Sequence, residues 1–380
     1  MGIPRRGLIG GASAVVAGSL FLPRFVAGAS TASRAEAEET LAADLGRVYL
    51  GSFTDSGGPG IVAGIIDAAT GDITVDSEVA AVSNPSWLEL ATDALTLYAV
   101  SENAAGTINA LSLADDANPT PGNSAPTGNG PTHLAVHPAG GFLLTSNFGG
   151  GTVAVHPIED GGAVGPASTV RKHEADAGQT AHAHQVVFDP TGTVALSVDL
   201  GTDSVYVETF DGQTGELGVP DRVRFTSGAG PRHLAFHSSG DFVYVANELN
   251  STVTVCRFQN GVLTPGRSLS TLAAASVQNA PSEIVVSADG RFVYVANRGA
   301  NNIAVFAVAA DGAELELIAN PPCGGDTPRD IAIAPGGGFL YVANQRSGDV
   351  TWLPIDASSG IPGAAAGSVA LAGASRIRFA

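Results

Sequence analysis

At 380 residues, 44% of them hydrophobic and only 14% charged, the chain has a globular composition but exceeds the roughly 250–300 residues at which an undivided core stops growing, so several domains or a modular array is expected. Forty-nine glycines and 22 prolines argue against long helices and suit many short strands joined by turns. A net charge of −18 excludes the basic face of a nucleic-acid binder and leaves acidity as a solubility feature.

The chain opens on "MGIPRRGLIGGASAVVAGSLFLPRFVAGAS". The Arg5-Arg6 pair precedes an apolar run from Leu8 to Leu22 and the small-residue pattern Ala27-Gly28-Ala29, which together resemble a twin-arginine export signal. The run is too short and too interrupted by glycine and serine to span a bilayer, which takes about 20 residues. Residues 1–39 are therefore expected to be a signal peptide and short linker, and residues 44–380 the exported domain, with no membrane association after cleavage. The two cysteines, Cys256 and Cys323, fall in different copies of the repeat described next and are expected to stay unpaired.

After "RVYLGSF" and "GIVAGIIDAATGDIT" the chain repeats itself. Copies begin "NPSWLELATDALTLYAVSE" at Asn84, "GPTHLAVHPAGGFLLTSNF" at Gly130 and "HAHQVVFDPTGTVALSVDL" at His182. Three more begin "GPRHLAFHSSGDFVYVANE" at Gly230, "APSEIVVSADGRFVYVANR" at Ala280 and "TPRDIAIAPGGGFLYVANQ" at Thr327. A period of about 50 residues points to propeller blades. Each copy reads as an apolar strand, a polar turn, a V-Y-V-A-N strand, a third strand such as "STVTVCRF" and a short fourth strand, which is one four-stranded antiparallel blade. The N-terminal copy lacks a first strand, and "ASRIRFA" at residues 374–380 supplies one. The fold expected is an all-β, seven-bladed β-propeller closed by the C-terminal strand in blade one.

In an antiparallel blade the start of the first strand and the end of the second share a face. At the first position the copies read Ser86, Thr132, His184, Arg232, Ser282, Arg329 and Ser375; at the second they read Phe53, Glu102, Phe148, Leu200, Glu248, Arg298 and Gln345. The ionisable members are Glu102, His184, Arg232, Glu248, Arg298 and Arg329, and five of them fall on blades four to seven, a clustering that a purely structural repeat does not require. Residues that recur are expected to be structural: His133 with His233, His137 with His237, and the Asn147, Asn247, Asn297 and Asn344 series with Asp199. His182 and His184 form an H-x-H pair without a third ligand at a recognisable spacing, so no metal is expected. P-loop, G-x-S-x-G and H-E-x-x-H patterns are absent from the sequence.

The segments "YLGSFTD", "AHAHQVVFDP", "GPRHLAFHSSGDFVYVANE", "YVANRG" and "TPRDIAIAPGGGFLYVAN" resemble the seven-bladed lactonase family, which includes 6-phosphogluconolactonases and the fungal carboxy-cis,cis-muconate cyclase. The resemblance runs over nearly the whole mature chain. It implies a lactone hydrolase of the channel mouth, working without a cofactor on a small sugar-type or anionic lactone through a histidine, two arginines and a glutamate. By motif these fall on His184, Arg232, Glu248 and Arg298, the residues that the comparison between blades isolates independently. Arg329, His182 and Glu102 are expected to contact substrate beside them. Ala183 stands where a proline is frequent, and Ser101 where an asparagine is expected. A monomer is expected. Two other functions fit the same fold: a non-enzymatic propeller binding a small anionic ligand or a protein, and a lactone-forming cyclase.

Overall fold

The computed structural model describes Gly2 and residues 44–274 and 278–380, so the export-signal reading falls outside the described residues. Residues 43–380 form one compact unit of seven four-stranded antiparallel sheets. Blade one is built from Ala374–Phe379, Asp44–Ser52, Ile61–Asp67 and Ile73–Val79, so the C-terminal strand is the innermost strand of the first blade, as expected. The other six follow in chain order, each from inside to outside, with inner strands Leu88–Leu90, Pro131–Val136, Ala183–Phe188, Pro231–Phe236, Ala280–Val286 and Pro328–Ile333.

The core is divided rather than central. Seven apolar clusters lie one at each junction between neighbouring blades; the closing junction, for example, packs Tyr341, Val350 and Trp352 of blade seven on Leu50, Ile66 and Ile377 of blade one. A blade sandwiched between two others must be apolar on both faces, and the second strands Thr96–Ser101 and Val194–Asp199 are accordingly buried at every residue. The outermost strands have water on one side, and Thr169–Lys172 alternates half-buried and exposed residues.

A tyrosine in the middle of the second strand fastens each of five blades to the next. Tyr98, Tyr244 and Tyr294 donate to the carbonyls of Gly162, Gly312 and Gly360 in the outer hairpin of the following blade, at 2.9, 2.9 and 2.8 Å. Tyr341 reaches Gly71 across the closing junction, and Tyr49 donates to Asp116. These hairpins need glycine: Gly360 has φ +70°, and a Cβ there would lie 2.4 Å from the Phe292 ring. Leu144 and Leu196 take the tyrosine position in blades three and four, with no hydroxyl to offer. Cys256 and Cys323 are both free and buried.

In six of the seven blades the inner strand carries one extra residue near its start. Pro231 pairs with Asn247 and His233 with Ala246, leaving Arg232 unopposed, and the same shift isolates Thr132, His184, Arg329 and Ser375 and falls at Ser282-Glu283. Such a bulge breaks the strict alternation of side chains. Two successive residues of each of these six inner strands therefore reach the axis.

Ring closure carries a test. Removing residues 374–380 deletes the buried Ala374 and Ile377 and bares the edge of the strand Asp44–Ser52. The truncated protein is expected to melt about 10 °C or more below the full chain, or to aggregate, in a thermal scan; an unchanged melting temperature would contradict closure by this strand.

Candidate active site

The bulge residues Thr132, His184, Arg232, Ser282, Arg329 and Ser375, joined by Ser86 of the bulge-free second blade, form an upper tier on the axis. Three small members fasten inner strands together, Thr132 Oγ1 donating to the His184 carbonyl at 2.8 Å, Ser282 Oγ to Pro328 at 2.6 Å and Ser375 Oγ to Pro85 at 3.0 Å. The large members carry the charge. Glu248, just past the end of its second strand, places Oε2 2.6 Å from Arg298 Nη2 and 3.2 Å from Arg232 Nε. Arg298 is tied further to the carbonyls of Ala280 and Pro281 at 3.0 and 3.3 Å. Arg232 is different. It is 2% exposed, its contact with Glu248 lacks hydrogen-bond alignment, and its Nε and Nη1 have no hydrogen-bond partner. Burial first, and the Arg298 charge second, pull this guanidinium down to about 9; it remains cationic at neutral pH.

Arg329 leaves blade seven, passes 4.8 Å over the Phe53 ring of blade one and meets Glu102 of blade two, Nη2 to Oε2 3.1 Å. His184 is buried, and desolvation, followed by the charges of Arg232, Arg329 and Arg298 and the neighbouring His233, holds its pKa well below the ordinary histidine value. The imidazole is thus a neutral base facing cations. His182 lies just before the inner strand of blade four, stacked on Phe148 at 4.4 Å with Nδ1 3.1 Å from the Phe148 carbonyl, while His184 meets the edge of the same ring at 5.7 Å. The structure therefore brings His184, Arg232, Glu248 and Arg298 into one cluster, sets the Arg329–Glu102 pair beside it, and leaves His182 at its margin. Among the described residues no group of three or more His, Cys, Asp or Glu side chains gathers in a metal-binding arrangement.

The residue after each bulge, together with Trp87 of blade two, forms a lower tier that the sequence reading missed: His133, Gln185, His233, Glu283, Asp330 and Arg376 complete it. His133 and His233, expected to be structural, are both buried in it. They do occupy equivalent positions, but the bulge turns both to the axis, where His133 stacks on Trp87 at 3.9 Å and His233 bonds His184 and Glu283. His137 and His237 are turn contacts, as expected, with Nδ1 accepting from Ala139 N and Ser239 N at 3.2 Å each. The asparagines bond strand ends: Asn147 reaches Thr152, Asn247 reaches Thr252 and Thr254, Asn297 reaches Asn302, and Asn344 reaches Thr351. Asp199 accepts from His173 at 2.7 Å and from the His182 amide at 3.0 Å.

Glu283, Asp330 and Arg376 make a buried acid pair with one cation. Arg376 Nη1 is 3.1 Å from Asp330 Oδ1 and its guanidinium lies 3.4 Å over Trp87, while the Ile377 amide donates to Asp330 Oδ2 at 2.7 Å. Burial above all, against the Arg376 charge and with Glu283, pushes Asp330 up to about 7, and burial also raises Glu283. Burial thus favours a proton on this acid pair. The tiers enclose about 10 Å³, room for one water. Beyond the lower tier a cavity of about 650 Å³ opens among the far ends of the inner strands. The roomier cavities of about 800 and 930 Å³ lie between strand hairpins and hold none of the mouth's ionisable residues.

Comparison with known proteins places this geometry among relatives. Residues 47–379 match the family model described as "Lactonase, 7-bladed beta-propeller". A 6-phosphogluconolactonase of Bacillus subtilis is 30% identical over 292 residues, 74% of this chain and 82% of that protein. Another from Formosa agariphila is 29% identical over 300 residues, covering 74% and 84%. Among solved structures, the periplasmic gluconolactonase of Pseudomonas aeruginosa superposes with a TM-score of 0.83 at 30% identity, covering 88% of this chain and 98% of that one.

The acid pair has a measurable signature. Between about pH 4 and pH 7 the unfolded chain has released the Asp330 proton and the native state still holds it, so this group's contribution makes stability fall as pH rises through that window and level off above it. Glu208, pushed up to about 7 by burial against the opposing pull of Arg171, contributes with the same sign. Asp330→Asn is expected to flatten the slope of stability against pH in this window relative to wild type, measured by denaturant unfolding; identical slopes would show that Asp330 titrates normally.

Proposed function

Since the chain belongs to the seven-bladed β-propeller lactonases, we propose that it hydrolyses a sugar-type or anionic lactone at the mouth formed by His184, Arg232, Glu248 and Arg298. The observation that carries this reading is the pairing of a neutral, buried imidazole with a buried guanidinium whose Nε and Nη1 lack hydrogen-bond partners. Hydrolysis needs both. His184 takes a proton from water as the water oxygen bonds to the lactone carbonyl carbon, and the carbonyl π electrons move onto oxygen. Arg232 and Arg298 hold that oxyanion. The tetrahedral centre then collapses, the ring C–O bond breaks, and the proton passes to the departing alkoxide. Glu248 orients both guanidinia through one carboxylate oxygen.

Three guanidinia against two carboxylates, Arg232, Arg298 and Arg329 with Glu248 and Glu102, leave the mouth one positive charge in excess, which suits a lactone or product bearing a carboxylate. Arg329 and Glu102 are the substrate-positioning pair, and His182 with Phe148 forms an aromatic wall. The protein acts on a small molecule as a monomer.

Arg232→Ala and Glu248→Gln are each expected to lower kcat/KM about 100-fold or more on a lactone that the wild type hydrolyses, with unchanged thermal unfolding. Full activity in either folded variant, or no hydrolysis across a panel of gluconolactone, phosphogluconolactone and carboxylated lactones, would remove this reading.

Export by the twin-arginine route belongs to the same proposal, supported by the Arg5-Arg6 signal pattern and by a relative named as periplasmic. Replacing both arginines with lysine is expected to trap precursor inside the cell in a fractionation experiment; secretion of the double variant at the wild-type level would reject that route.

A further inference from the structure

The lower tier continues the site away from the mouth. His184 Nδ1 is 3.1 Å from His233 Nε2, and His233 Nδ1 is 2.8 Å from Glu283 Oε2, so one line of bonds joins three successive blades. We propose that His233 and Glu283 are positioning residues that hold His184 as its Nδ1–H tautomer, leaving Nε2 as the basic nitrogen for lactone hydrolysis. This rests on the lactonase reading for its chemistry but not for its geometry.

Each bond fixes the next. Glu283 accepts the Ile284 amide at Oε1 and, as a carboxylate, accepts at Oε2 as well, so His233 donates from Nδ1. A neutral imidazole carries one N–H, and burial beside Arg232, Arg376, Arg329 and Arg298 keeps His233 neutral. His233 Nε2 is then a lone pair, and His184 Nδ1 must supply the proton between the rings. Among the described residues nothing bonds His184 Nε2. The nitrogen that accepts the water's proton is chosen by a carboxylate two residues away along the chain of bonds.

The same line supports the charge that develops. Arg232, Arg329 and Arg298 oppose an imidazolium at His184. When Nε2 takes a proton from water, the Nδ1 proton can shift toward His233 Nε2 and the His233 Nδ1 proton toward Glu283 Oε2, each N–H bond weakening as the next forms. The positive charge is spread toward Glu283 and withdrawn as the proton returns to the leaving alkoxide. No other reactant is required.

Two measurements test this. Long-range proton–nitrogen correlation on protein labelled with 15N-histidine, with His184 assigned by its loss in His184→Gln, is expected to show a protonated Nδ1 and an unprotonated Nε2 at pH 7. An Nε2–H tautomer would overturn the proposal whether or not a lactone is ever found. In Glu283→Gln, kcat is expected to fall about 100-fold while KM stays within about threefold, and the His184 tautomer signal is expected to shift or split. A folded Glu283→Gln with wild-type kcat and tautomer would overturn it. Should Glu283→Gln fail to fold, His233→Gln is read in the same way beside the wild-type spectrum. Absence of lactone hydrolysis in wild type with the expected tautomer present would count against the lactonase reading, and the assigned geometry would stand.

Discussion

One extra residue at the start of an inner strand governs the chemistry of this protein. A regular strand sends alternate side chains to opposite sides, so each blade would offer the axis a single residue per two positions. The bulge cancels that alternation where it matters. Arg232 and His233 both reach the axis, as do Arg329 and Asp330, and His184 and Gln185. Two stacked tiers result from a fold whose blades are otherwise alike. The upper tier carries His184, Arg232 and Arg329, and the lower tier closes the channel beneath it.

Most of the architecture was readable because a period near 50 residues and a missing first strand are properties of the letters themselves. Closure by residues 374–380 followed from counting strands. The gathering of His184, Arg232, Glu248 and Arg298 at one mouth was also readable, since comparing equivalent positions exposes charges that the repeat does not need. The same comparison left His233 among the structural residues. Its recurrence with His133 reports only an equivalent position, and the bulge that turns the position to the axis is a register shift with no residue signature of its own. Glu283 and Asp330 were missed for that reason. They stand one place after the bulge in "PSE" and "PRD", as His233 does in "PRH", and a reader who knew of the bulge would have aligned all three.

Electrostatics divides the two tiers. Above, guanidinia outnumber carboxylates, so an anion is welcome and an imidazolium is not. Below, Arg376 faces two buried carboxyls, Asp330 and Glu283, and burial raises the pKa of both. His184 and His233 lie between these regions. Neutral imidazoles are the groups that can touch both without an unpaired buried charge, and their two nitrogens differ in role, which gives the arrangement a direction.

The tyrosine fastenings end where blade four begins. Leu144 and Leu196 replace the hydroxyl-bearing residue, and a groove of about 930 Å³ lined by Val194, Val219 and Val262 runs down the outside of the junction between blades four and five. The inner rim of that junction is held by the Gln185 side chain, which accepts the Leu234 amide at 2.7 Å and donates to its carbonyl at 3.4 Å, and by the two histidines. Away from the hub this seam is closed by the apolar cluster of Val194, Leu196, Val243 and Phe258, so contact area does there what a directed hydroxyl bond does at the tyrosine junctions.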